Sequence, residues 1–91
     1  MAMFMINYDL RAPGRNYAPL YSALGNFGAV RILESQFMVE MVATAKGLHA
    51  LISQHLDQND LLLVIQQFPN AQAAGSCLAD GADWIGARMT T

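Results

Sequence analysis

The feature that most constrains this chain is the stretch Met3-Phe-Met-Ile-Asn-Tyr-Asp-Leu10. Sorted with the two-residue period of a strand, Phe4, Ile6 and Tyr8 fall on one face and Met3, Met5 and Asn7 on the other. A strand that is apolar on both faces belongs inside a sheet with material above and below it. The single cysteine, Cys77, excludes a disulfide scaffold, so a hydrophobic core must hold the fold. At 91 residues, that core serves one domain.

After the first strand, Pro13-Gly14 forces a loop. Asn16 is a good N-cap, and Tyr17, Leu20, Tyr21, Leu24 and Phe27 follow at helical spacing, predicting a helix over Tyr17 to Asn26 with Gly28 as its stop. Ala29 to Glu34 and Phe37 to Val42 read as two strands joined at Ser35-Gln36. Thr44 caps a second helix carrying Leu48, Leu51, Ile52 and His55 and ending near Leu56. Leu61 to Phe68 suits a strand covered on both sides.

The order strand, helix, strand, strand, helix, strand is the split βαβ pattern, and it predicts an α+β, ferredoxin-like βαββαβ sandwich over residues 1–68. Its four-stranded antiparallel sheet would carry both helices on one face. Pro69 opens a C-terminal tail, 69–91, whose Ala- and Gly-rich composition favours neither regular state, with Trp84-Ile85 as its apolar anchor.

This layout leaves a second sheet face bearing Met3, Met5, Leu33, Met38 and Val42. A contiguous apolar patch left in water forfeits roughly 25 cal/mol per Å², so something must cover it. The expected cover is a second copy, giving a homodimer or higher homo-oligomer with Met3, Met5, Met38 and Trp84 at the interface. The alternative is that the tail docks on its own sheet.

Phe4-Met-Ile-Asn-Tyr-Asp-Leu, the Pro-Gly loop and Asn16-Tyr17 together resemble the start of the small CRISPR-associated adaptation-type endoribonucleases, especially their short bacterial and phage-borne relatives. Ser35-Gln-Phe-Met-Val-Glu40 looks like their third strand, and His55-Leu-Asp-Gln-Asn-Asp-Leu-Leu-Leu-Val-Ile65 like their second helix end and fourth strand. The resemblance covers residues 3 to 68 and implies a dimeric ferredoxin-like fold. It also implies that Asp9, by motif position, meets its symmetry mate as a catalytic ligand to Mg²⁺ or Mn²⁺. Two such carboxylates would hold the ion through oxygen, and the ion would activate water against a phosphodiester. The competing role for Asp9 is structural, accepting backbone N–H bonds of the loop or pairing with Arg11.

Arg11 and Arg15 share that loop and form the candidate rim for RNA or DNA phosphate, although a net charge of −2 gives no domain-wide field to draw a polyanion. His49 and His55, six residues apart, sit roughly 240° around a helix and cannot chelate one ion from a single face. Cys77 has no basic neighbours in sequence and no Cys-x-x-Cys partner, and no phosphate-binding glycine loop is present. A basic leader is lacking at the amino terminus, and the apolar run Leu61 to Ile65 is far short of the ~20 residues a membrane helix needs, so a cytoplasmic protein is expected. Two functions emerge. One is a metal-dependent nuclease or nucleic-acid scaffold. The other is a non-catalytic homo-oligomeric module that binds another protein, such as a phage or bacterial defence component.

Overall fold

A computed structural model describes residues 1–68 and 70–89; Pro69, the expected boundary of the tail, lies outside them, as do Thr90 and Thr91. The order of elements is β1 (Ala2–Asp9), α1 (Ala18–Asn26), β2 (Val30–Leu33), β3 (Gln36–Met41), α2 (Ala45–Ser53), β4 (Leu61–Gln67) and α3 (Ala79–Arg88). The strands form one antiparallel sheet in the order β2-β3-β1-β4, so β1 lies inside it, as its two apolar faces require. No helix among the described residues is long and apolar enough to cross a membrane.

Both expected helices form, but α1 begins one residue later than expected, with Tyr17 rather than Asn16 at its N-cap, and α2 ends at Ser53, short of Leu56. Asn16 Oδ1 accepts from the Ala18 N–H at 3.0 Å, and Pro19 occupies the first turn of α1, where a missing N–H costs little. Gly28, at φ +79°, ends the helix by letting the Ala29 N–H return to the Leu24 carbonyl. Thr44 Oγ1 caps α2 through the Gly47 N–H at 3.0 Å. The buried stripes Leu20, Leu24 and Leu48, Ile52 then meet Phe4, Ile6, Tyr8, Phe37 and Val39 in the main core.

The tail departs from expectation. In place of an irregular strand of chain, residues 79–88 form α3, which packs on the second sheet face over β2. Trp84 is buried there with Met3, Ile32 and Met38. Glycine makes the approach possible: a Cβ on Gly81 would lie 2.8 Å from Ile32 Cα and 2.9 Å from the Arg31 carbonyl oxygen. The Leu78 N–H donates to the Ile32 carbonyl at 3.0 Å, fixing the start of the helix on the outer edge of β2. Arg88 lies over the Trp84 ring at 4.2 Å and pairs with Glu40 on β3 at 3.3 Å. Asp80 in the first turn and Arg88 in the last also complement the helix dipole.

The same chain therefore covers the part of the second face that carries Met3 and Met38. The sequence places these two, with Trp84, at a contact between copies; in the structure they are buried inside the subunit, while Met5 is only half-buried. Dimerisation through Met3 or Met38 would require α3 to leave. Val42 falls just beyond β3 and is exposed rather than part of the face.

The second departure is β4. Leu62 and Val64 pack toward the main core, but Leu61, Leu63 and Ile65 are 48%, 58% and 39% exposed. A sequence of five consecutive apolar residues reads as a doubly covered strand. Here β4 is the outermost strand, and α3 sits over the opposite margin of the sheet.

Candidate functional site

Odd-numbered residues of β1 face the second side of the sheet, so Asp9 lies there at the end of the strand, in register with Leu61. It is exposed. Asn7 and Gln36 lie further along the same face, where Gln36 Nε2 donates to Asn7 Oδ1 at 2.9 Å and Asn7 Nδ2 donates to the Leu63 carbonyl. A shallow depression of about 360 Å³ joins Asp9 to Asn7, Ser35, Gln36, Leu61 and Leu63. Asp9 is thus surrounded by neutral amides, a hydroxyl and leucine side chains.

Among the described residues, no three of His, Cys, Asp and Glu come together as a metal-binding group. One carboxylate with amides already bonded to each other does not fit a resident divalent ion within a single chain.

The structural role considered for Asp9 is filled by Asp60. Its Oδ1 accepts from the Arg11 backbone N–H at 2.6 Å, its Oδ2 from the Asp57 N–H at 2.8 Å, and both oxygens lie within 2.9 Å of the Tyr17 hydroxyl. Tyr17 Oη in turn accepts from the Ala12 N–H at 3.3 Å. One carboxylate therefore ties the loop after β1, the start of α1 and the entrance to β4. Burial alone would push Asp60 up, but these hydrogen bonds outweigh it and hold the carboxyl below its ordinary value. Tyr17 moves the opposite way, raised by burial and then by its bond to that carboxylate.

The proposed phosphate rim is close to acids of its own. Arg15 Nη1 lies 3.9 Å from Asp57 Oδ1 and its guanidinium 5.9 Å from the Tyr17 ring centre. Arg11 is exposed, with its backbone N–H bound to Asp60. Asp57 and Asp60 thus oppose Arg11 and Arg15 in this region, leaving little net positive potential.

Two features leave no local signal in the sequence. Asp57-Gln-Asn-Asp60 reads as a simple turn, and the Asp60 latch becomes visible only when the loop after β1 is folded against it. A cavity of about 540 Å³ also lies where residues 71–77 cross the second face, lined by Met5, Leu33, Gln36, Met38, Cys77 and Ile85 among others. Its existence depends on where α3 docks, which composition did not reveal.

On the first face, Arg31 lies between the rings of Tyr21 and Phe37, 5.0 and 5.1 Å from their centres. The Tyr8 hydroxyl donates to the Glu34 carbonyl at 3.1 Å. Burial, with the nearby Tyr21, pushes Tyr8 up to about 12, against the opposing pull of Arg31. These aromatics belong to the core and its border; they do not form an open platform for bases.

Comparison of the chain with protein-family models, curated proteins and solved structures found no significant match.

Proposed function

We propose that this chain is a ferredoxin-like, cytoplasmic, homo-oligomeric interaction module that works through the bare half of its second sheet face. The fold reading is supported by the βαββαβ order, with the sheet running β4-β1-β3-β2 and α1 and α2 sharing one core. Cys77, a free thiol, is compatible with a reducing compartment. One observation carries the functional reading: Leu61, Leu63 and Ile65 form an uncharged apolar stripe that α3 does not cover. Such a stripe gains free energy by contact with another chain and offers nothing to a polyanion.

Light scattering across dilution tests the proposal. The wild type should exceed the mass of one chain at higher concentration, and Leu63→Lys should remain a single chain with an unchanged circular dichroism spectrum. A wild type that stays single at every concentration ends this reading.

A second reading follows from the resemblance to adaptation-type endoribonucleases and from the exposure of Asp9 on the same bare face. A copy seated there could bring a second Asp9, and the two could share Mg²⁺ or Mn²⁺ against RNA or DNA, with Arg11 and Arg15 nearby. Fold likeness does not carry activity with it. Incubating labelled RNA and DNA with either ion should give cleavage that Asp9→Ala abolishes. Cleavage by both proteins alike, or by neither, removes the nuclease reading and leaves the interaction module standing.

A further inference from the structure

We infer that the occupant of the bare margin is a second copy of this chain, joined β4 to β4 in antiparallel so that two four-stranded sheets become one of eight strands. The inference rests on the proposed self-association and specifies its geometry. An edge strand presents unpaired main-chain N–H and C=O groups, and soluble proteins usually blunt such edges with charge, proline, a bulge or a covering element. From Leu61 to Gln67, β4 contains no charged residue or proline, and its pairing with β1 runs without a register shift.

The sequence of β4 is complementary to itself in one register. Two antiparallel strands related by a two-fold axis at Leu63 place Leu63 opposite its counterpart and Leu61 opposite Ile65 of the other copy. All three exposed side chains are then paired on one side of the sheet. On the other side, Leu62 faces Val64, beneath α2, which packs on β4 in each subunit. Centring the axis on Val64 instead sets Leu61 against Gln67 and Leu62 against Gln66, so the apolar match is lost.

Charge favours a copy over a charged partner. The strand meets itself without like-charge repulsion, while an acidic or basic peptide finds no complementary group along it. Area favours edge pairing over a strand contact alone. A standard interface takes roughly 800 Å² from each partner, about a seventh of this chain's 5564 Å². Joining the edges engages both sides of the sheet, including α2, whose Leu51 is 43% exposed. Stacking the bare faces would leave the β4 main chain and Leu51 in water.

Disulfide trapping in a Cys77→Ser background tests the geometry. Leu63→Cys should form a cross-linked dimer in high yield, because paired Cα atoms across antiparallel strands lie about 4.5–5.5 Å apart, within disulfide range. Asn7→Cys, on β1, should not, since three strand spacings separate it from its counterpart by roughly 14 Å. Ile65→Cys should also fail alone and cross-link when mixed with Leu61→Cys. Hydrogen exchange on the Cys77→Ser protein should show concentration-dependent protection of β4 amides. Cross-linking through Asn7→Cys, or self-cross-linking by Ile65→Cys in place of Leu63→Cys, overturns the edge pairing while leaving self-association intact. Absence of any dimer in the parent protein overturns both.

Discussion

The two margins of the sheet are built on opposite plans. At one, β2 has four residues, shifts register between Arg31 and Leu33, and lies under α3. At the other, β4 has seven residues in unbroken register and presents three apolar side chains to solvent. The first margin is closed by its own chain, through Trp84, Gly81 and the Leu78 N–H. The second is left open. The lesson is that apolar excess on a sheet face need not be resolved in one way: this molecule covers one half internally and keeps the other available.

The largest effect should come from opening the closed margin. Trp84→Ala removes the ring that packs on Met3, Ile32 and Met38 and should cost about 3–5 kcal/mol in urea unfolding. A loss under about 1 kcal/mol would mean that α3 is not integral to the fold. Next, Gly81→Ala should cost roughly 1–3 kcal/mol by overpacking, because its methyl meets the β2 backbone. Gly86→Ala, on the same helix with open space at its Cβ, should instead be neutral or gain up to about 1 kcal/mol from helix propensity. Equal costs at the two glycines would contradict the close approach at Gly81.

Substitution at the open margin should separate stability from association. Leu63→Lys should change the unfolding free energy of the single chain by no more than about 0.5 kcal/mol while abolishing its self-association. The smallest effect concerns the latch at the entrance to β4. Because the Asp60 carboxyl is held below its ordinary value, its contribution is present above the unfolded pKa and is lost as pH falls through the lowered folded one. Asp60→Asn should therefore flatten the acid limb of a melting-temperature profile, with little change in the slope above neutral pH.

The parts legible in the sequence are those whose signals are local. Asn16, Gly28 and Thr44 mark helix ends through backbone chemistry that acts within a few residues, and the alternation of β1 identifies an interior strand. α3 was illegible for the opposite reason. Gly81 and Gly86 weaken its intrinsic propensity, and the helix is held by contacts with β2, some fifty residues earlier in the chain. The run Leu61 to Ile65 reads as doubly covered because hydrophobicity alone cannot distinguish a central strand from an exposed edge. The candidate site was legible only as a lone carboxylate, Asp9; the hydrogen-bonding role considered for it belongs to Asp60, which long-range folding brings against Arg11 and Tyr17.

The seat of α3 on β2 also sets a timetable. A ribosome adds Met3, Ile32 and Met38 well before Trp84, so until α3 is made these side chains have no cover from their own closing helix. The interval between those events is when a chaperone, or a neighbouring nascent chain, has its widest access to this protein.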